Sequence, residues 1–324
     1  MEADDRFEGF VFDDDFVRGA SRTEPSAEER LEAARHATVA RAVRGPSVVV
    51  PRRRRRAPWK LLAVLVAVCL LGSAIVRRTA TSRGSGADVF HEGGDVFMID
   101  GRITRYPTPP RTASTTPLRS APVATTTGAH EFVSVVDGDP VRWDPCRPIS
   151  IVVAGADQVP GATELLTDAT GIVSQATGLV FELEGTTDER AADTRLPVQD
   201  RYGDRWAPVL VAWTDPETLP DLDGDVAGLG GAQQIEAPDT GVSVFVTGGV
   251  YLDAPTFREV LGSAGGREQA LGIVVHELGH LVGLDHVDDT AELMYGGAND
   301  ATTLGPGDRQ GLARLGGGPC VPSL

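Results

Sequence analysis

Three of the chain's six histidines lie in one short stretch, HELGHLVGLDH, which runs from His276 to His286. Residues four apart on a helix share a face, so the imidazoles of His276 and His280 can both reach one cation. Glu277 directly follows the first histidine, and its carboxylate can reach a water molecule on that cation. The residue types and their spacing therefore predict a metal site with a general base beside it.

Gly283 explains how a third histidine joins the site. A helix commonly ends at a residue in the left-handed conformation, which glycine adopts without steric cost. The chain can turn there and bring His286 back as a third ligand. Three neutral imidazoles with one open position are typical of a catalytic zinc site, whereas structural zinc usually has four protein ligands. The alternative is a histidine-rich helix end that binds no metal.

Apolar periodicity indicates which elements hold this stretch in place. A long helix is predicted over residues 267–283, and its remaining apolar positions face the core: Leu271, Val274, Val275, Leu278 and Leu281. Upstream, apolar runs predict a helix at 162–178 and strands at 148–155, 179–185, 207–215 and 242–253. A final helix is predicted at 306–316.

The histidine motif and a following methionine resemble the metzincin metallopeptidases. HExxHxxGxxH is followed by Met294 in AELMYGG, eight residues after His286, and this short gap is most similar to the matrixin branch. The resemblance spans residues 140–320, and its specific part is 271–315. It implies an α+β fold with a twisted mixed sheet, a long active-site helix and a C-terminal helix. It also implies roles for five residues: zinc ligands His276, His280 and His286, general base Glu277, and Met294 in the Met-turn below the metal.

The C-terminal segment extends the resemblance, and two features depart from it. TLGPGDRQGLARL, residues 303–315, resembles the matrixin C-terminal helix, with Asp308 where the family has an acid that ties this helix to the Met-turn. Gly296 stands where matrixins usually have proline, which leaves the depth of the adjoining pocket open. The latency motif PRCGxPD is absent.

Two of the three cysteines lie near opposite ends of the acidic C-terminal region. Cys146 and Cys320 predict one disulfide if the compartment is oxidising, whereas Cys69 belongs to an apolar run. The alternative is that Cys146, in WDPCRPI, is a degenerate zinc-blocking cysteine.

The segment before the long helix offers a substrate-binding strand and a second cation site. Residues 226–232 are interpreted as an edge strand on which an extended peptide could pair, or alternatively as a glycine-rich loop. The acidic run of Asp221, Asp223 and Asp225 could bind Ca²⁺, but the EF-hand positions for glycine and glutamate hold Val226 and Ala232. A solvated acidic loop is therefore the default interpretation.

The N-terminal third predicts a membrane anchor. Five arginines at 52–56 precede the apolar run 61–76, and a helix over 59–76 would be about 27 Å long, enough to cross a bilayer. Because more basic residues precede the segment than follow it, the N-terminus is expected in the cytoplasm. The alternative is a cleaved signal peptide, but the preceding leader is unusually long.

The rest of the chain divides around this anchor. Residues 1–58 are predicted to be a largely disordered cytoplasmic tail, in which 26–45 could form a helix that docks a partner. Residues 77–129 are predicted to be an extracellular Pro/Thr-rich stalk with a hairpin within 88–106, and residues 130–324 the metallopeptidase domain. That last region has 31 acidic and 10 basic residues, which argues against nucleic acid as a partner.

Together these features predict a membrane-anchored zinc endopeptidase that cleaves extracellular peptides or proteins. The alternative function is a membrane-tethered sensor or interaction domain that keeps zinc without turnover, or an adaptor whose cytoplasmic helix matters most. The intact Glu277 favours the enzyme, because a domain without turnover has no need of a general base.

Overall fold

The computed structural model describes residues 96–99, 102–110, 114–192, 194–224, 226–297 and 300–324. The predicted cytoplasmic tail and the predicted transmembrane helix 59–76 lie outside these residues. In the part of the chain that is described, no helix combines the length and the apolar character needed to cross a bilayer. The anchor and its orientation stay predictions.

Twelve strands are found in the described residues, and six of them form the main sheet. The strands are β1 (Val96–Ile99), β2 (Arg102–Arg105), β3 (Glu131–Phe132), β4 (Val135–Val136), β5 (Asp139–Pro140), β6 (Arg142–Trp143), β7 (Ile149–Ala154), β8 (Phe181–Thr186), β9 (Val209–Thr214), β10 (Gly228–Glu236), β11 (Ser243–Asp253) and β12 (Leu284–Asp285). The main sheet has the order β10-β11-β9-β7-β8, and β6 also pairs with β11. Only the β10–β11 pair is antiparallel in this sheet.

Strand β9 lies at the centre of the sheet, as its apolar sequence VLVAWT predicts. All six of its residues are buried, because both faces of the sheet are covered. Val209, Val211 and Trp213 face the main core, and Leu210 and Ala212 face a smaller cluster on the opposite side. This alternation is the period of two expected of a strand.

Four helices are described: α1 (Ala162–Thr177), α2 (Ala254–Leu261), α3 (Gly266–Val282) and α4 (Pro306–Leu315). All four contribute side chains to the main core on one face of the sheet. The described chain is therefore a mixed α/β fold with a mainly parallel six-stranded sheet. This confirms the predicted mixed sheet, long helix and C-terminal helix, and the edge position of β10.

Helix α2 was not predicted, although the sequence carries start and stop signals for it. Asp253 is its N-cap and accepts hydrogen bonds from both the backbone N–H and the hydroxyl of Thr256. Pro255 lies in its first turn and Gly262 follows its last residue. The helix was missed because its cap, Asp253, is also the last residue of β11, so the strand passes into the helix with no loop between them.

The predicted hairpin is confirmed over β1 and β2, which pair antiparallel. Phe97, Tyr106 and Trp206 form one aromatic group, with ring centroids 4.9–6.1 Å apart. The Tyr106 hydroxyl donates to the carbonyl oxygen of Glu236 at the end of β10. Burial, together with the charge of Glu236, raises the pKa of Tyr106 to about 12.

Part of the segment predicted to be a stalk contacts the folded domain. Leu118 N–H donates to the carbonyl of Pro145, and the Thr126 hydroxyl donates to the carbonyl of Pro306 at the start of α4. The backbone N–H of Gly128 donates to the side chain of Gln310. The boundary at residue 129 stays a prediction, and these contacts make the full-length chain the suitable material for experiments.

Candidate metal centre

The end of α3 and the turn that follows it deliver two of the three histidines. Gly283 has a φ of 119°, and its N–H donates to the carbonyls of Gly279 and His280. This confirms the predicted left-handed helix end. The short strand β12 then pairs antiparallel with β3, which directs the chain into His286.

The three imidazoles converge on one point. Their Nε2 atoms lie 3.1 Å apart for His276 and His286, 3.1 Å for His276 and His280, and 3.0 Å for His280 and His286. Three nitrogen ligands of a tetrahedral zinc ion are about 3.3–3.4 Å apart, because each Zn–N bond is about 2.0–2.1 Å. The cluster is therefore close to the dimensions of a three-histidine metal site, and it could hold a metal ion.

Hydrogen bonds at the far side of two rings set their tautomers. His276 Nδ1 lies 2.7 Å from the carbonyl oxygen of Leu293, and His280 Nδ1 lies 2.9 Å from that of Leu284. A carbonyl oxygen can only accept, so each Nδ1 must carry the proton. Each Nε2 of the neutral ring then presents a lone pair to the centre of the cluster, which is the form that ligates a metal.

Glu277 follows the ligand His276 on α3, whereas Met294 lies on the segment between β12 and α4. Glu277 is 3% exposed, and its side chain lies where β10 meets α3. Met294 is buried, and its Sδ rests on α3 at Gly279, where a Cβ would be only 2.6 Å from the sulfur. Methionine and glycine thus pack one residue before His280, and the Met-turn role stays a prediction.

Asp308 and Glu292 join α4 to the segment around Met294. Asp308 accepts hydrogen bonds from the backbone N–H groups of Leu293 at 2.6 Å and Met294 at 3.3 Å, which confirms the contact expected from the resemblance. In return, Glu292 accepts from the N–H groups of Gly307 and Asp308 in the first turn of α4. Glu292 was missed in the sequence, because nothing local distinguishes it from an exposed acid.

Burial is the main electrostatic influence on Asp308. It raises the pKa of this carboxyl, and the nearby Glu292 raises it further, while the backbone donors of Gly305 and Leu293 act in the opposite direction. The backbone of Leu293 therefore has two partners, since its N–H donates to Asp308 and its carbonyl accepts from His276. Helix α4 is linked to a metal-site imidazole through the backbone of one residue, Leu293.

A buried ion pair fixes the segment that precedes β9. Arg195 donates to both carboxylate oxygens of Glu189, to the Thr247 hydroxyl and to the carbonyl of Pro208. Burial alone would raise the pKa of Glu189, but hydrogen bonds from Arg195, Tyr202 and Gln199 outweigh it, and the net shift is downward. This network was also missed, because its members are far apart in the sequence.

The two cysteines are joined in a disulfide between the segment before β7 and the segment after α4. Their Cα atoms are 5.4 Å apart, within the usual range for a disulfide. Asp144 lies with them, but sulfurs bonded to each other are not thiolate ligands, so this group is not a metal site.

The calcium prediction has no support among the described residues. Asp221 and Asp223 belong to neither group of three side chains whose ligand atoms converge. Asp225 lies outside the described residues. Calcium binding stays a prediction.

Comparison of the sequence with models of known protein families found no match, and comparison with curated proteins found none either. Three preorganised imidazoles with a buried carboxylate next to the first can bind a divalent cation and move a proton beside it.

Proposed function

We propose that the chain is a zinc-dependent endopeptidase, similar in mechanism to matrixins, which cleaves peptides or proteins outside the cell membrane to which its N-terminal segment anchors it. The observation that carries the proposal is the convergence of three imidazole Nε2 atoms within 3.1 Å, two of them with the Nδ1 proton held by a backbone carbonyl. Such an arrangement is what a neutral three-histidine ligand set requires.

The donor set favours zinc with an open coordination position. Nitrogen-only ligands suit zinc better than Ca²⁺ or Mg²⁺, which prefer oxygen. Three rather than four protein ligands are typical of catalytic sites. When bound here, zinc would polarise the scissile carbonyl and lower the pKa of a water molecule toward 7.

Glu277 is assigned the proton transfers. Its carboxylate takes one proton from the attacking water as the water oxygen bonds to the carbonyl carbon of the peptide. The same proton then passes to the leaving amine nitrogen as the C–N bond breaks. A single buried carboxylate can serve both steps because it is regenerated at the end, and its burial keeps bulk water from competing for the proton.

Strand β10 is the proposed binding edge for the substrate. Within the described residues it pairs only with β11, so its other edge has backbone donors and acceptors that a peptide strand can use. Main-chain pairing of this kind gives affinity with little demand on side-chain sequence. The proposal therefore predicts broad rather than narrow sequence preference.

The test distinguishes loss of the general base from loss of the bound metal ion. In the full-length chain, Glu277→Gln should keep about one zinc per chain while hydrolysis of a quenched-peptide library falls at least about 10²-fold, because the base is lost. His280→Ala should lose zinc, because two ligands hold it poorly. Zinc content is measured by elemental analysis and hydrolysis by fluorescence.

Matched controls come from the same chain. Glu268 is exposed on the same helix α3, so Glu268→Gln should leave both zinc and hydrolysis unchanged. His130 lies outside the cluster, so His130→Ala should keep zinc. Hydrolysis by Glu277→Gln at the parental rate would refute the mechanism. Zinc binding by a parent chain that cleaves nothing would leave the sensor function in its place.

A further inference from the structure

Strand β10 and helix α3 approach each other unusually closely at Glu277. A Cβ added at Gly228 would lie 2.7 Å from Cγ, 2.9 Å from Oε1 and 3.0 Å from Cδ of the Glu277 side chain. A Cβ added at Gly230 would overlap the carbonyl oxygen of Glu277 and lie 2.8 Å from its carbonyl carbon. The two glycines thus leave room for this one residue of α3.

Space, rather than backbone conformation, makes glycine necessary at these positions. Neither Gly228 nor Gly230 has a positive φ, so other residues could adopt their backbone angles. The two positions differ in what an added methyl group would meet. At Gly230 it would meet rigid helix backbone, whereas at Gly228 its three nearest atoms all belong to the Glu277 side chain.

We propose that Gly228 is a positioning residue that sets the orientation of the Glu277 carboxylate, because its missing side chain provides the space in which that carboxylate lies. This inference rests on the proposed function only for its kinetic consequence. Gly228 itself touches no reacting atom.

The strand cannot easily move away to relieve such a contact. Gly228 pairs with Leu252 on β11, and the neighbouring carbonyl of Ala227 accepts a hydrogen bond of 2.9 Å from the N–H of Asp253. Both partners, Leu252 and Asp253, are buried. A methyl group at position 228 would therefore displace the Glu277 side chain rather than the strand.

The kinetic test compares glycine-to-alanine substitutions in the full-length chain loaded with zinc. Gly228→Ala should lower kcat by about 10- to 100-fold, since misplacing a catalytic group by about 1 Å can have an effect of this size. It should also shift the acidic limb of the pH profile of kcat/KM, which reports the pKa of the base. Zinc content should stay at the parental value.

Two comparison variants show whether the effect is specific. Gly231 lies on the same strand with no atom within 4 Å of an added Cβ, so the kcat loss of Gly228→Ala should exceed that of Gly231→Ala at least about fivefold. Gly171 on α1 also has open space, and Gly171→Ala should behave like the parent. Equal kcat losses for Gly228→Ala and Gly231→Ala would overturn the inference.

A stability cycle tests the contact without any catalytic readout. Gly228→Ala should lower the Tm of the parent by at least about 2 °C, but not that of Glu277→Ala, in which the side chain that the methyl meets is gone. Equal Tm losses in both backgrounds would overturn the inference. If Gly228→Ala does not fold alone, folding of the double variant supports the inference and failure of the double variant refutes it.

The kinetic test and the stability cycle together distinguish failure of the inference from failure of the proposed function. A parent chain that cleaves no peptide refutes the proposed function, while the stability cycle still decides whether Gly228 sets the position of Glu277. An active parent with no coupling between the two positions refutes only the inference.

Discussion

Replacing Asp308 with alanine should weaken metal binding although none of the three histidines is touched. Asp308 is 1% exposed, and its carboxylate accepts from three backbone N–H groups, those of Leu293 at 2.6 Å, Gly305 at 2.8 Å and Met294 at 3.3 Å. A buried donor left without a partner costs about 1–3 kcal/mol. The substitution removes the two short hydrogen bonds, from Leu293 and Gly305, but it also removes the cost of burying a carboxylate, which offsets part of the loss. We therefore expect the free energy of unfolding to fall by about 2–4 kcal/mol.

The effect reaches the metal through the backbone of Leu293, whose N–H donates to Asp308. Its carbonyl accepts from His276 Nδ1 at 2.7 Å and holds that imidazole in its ligating orientation. Loss of a partner behind a ligand typically lowers metal affinity about 10- to 100-fold. Asp308→Asn should have a smaller effect on stability, about 1 kcal/mol, because one amide oxygen can still accept from Leu293 and Gly305.

Zinc affinity is measured by competition with a chelator at neutral pH, and stability by urea unfolding of the metal-free full-length chain. Asp168 is a matched control, because it is a half-exposed acid that pairs with Arg267 at the surface. Asp168→Ala should change zinc affinity less than twofold and stability by less than about 1 kcal/mol. Parental zinc affinity in Asp308→Ala would refute the proposed link between α4 and the metal site.

Three further predictions concern the rest of the domain. Arg195→Leu should lower the free energy of unfolding in urea by about 3–5 kcal/mol, because it leaves Glu189 buried without its cation. Arg201→Leu breaks an exposed ion pair and should lower it by less than about 1 kcal/mol. Similar losses in the two variants would contradict a stabilising role for the buried ion pair. The pKa of Glu189 in the folded protein lies below its ordinary value of 4.5, so its contribution to stability is present above pH 4.5 and is lost as the pH falls through the folded pKa. In Glu189→Gln, the free energy of unfolding measured at a series of pH values should therefore fall less steeply in this acidic range. The Cys146–Cys320 disulfide closes a loop of 174 residues, and removing it with a double serine substitution should cost about 4–5 kcal/mol in the chain-entropy model; two free thiols by mass mapping of the non-reduced chain would contradict it.

Short-range rules predicted the elements that carry the ligands. The long helix was predicted over 267–283 and is found at Gly266–Val282, and Gly283 ends it in the left-handed conformation. The shared face of His276 and His280 follows from the helical period alone. These features depend on residues within a few positions of one another, so the sequence contains all the information that they require.

Helix α2 marks the limit of periodicity as a signal. Its cap, Asp253, and its Pro255 are ordinary start signals, yet the preceding strand is apolar up to the cap and hides the change of period. The ion pair in the segment before β9 could not be predicted either. Arg195 and Glu189 have the sequence pattern of exposed charged residues, and only the structure shows that they are buried together.

The convergence of the site was decided by tertiary structure. The pairing of β12 with β3 directs His286 to the other two imidazoles, and the carbonyl of Leu293, seventeen residues after His276, sets that ring's tautomer. The sequence indicates which face of α3 holds the ligands, but not how far other elements lie from that face. These distances result from the packing of β10, the Met294 segment and α4 against one core. They depend on contacts between residues that are far apart in the sequence, so no local sequence pattern predicts them.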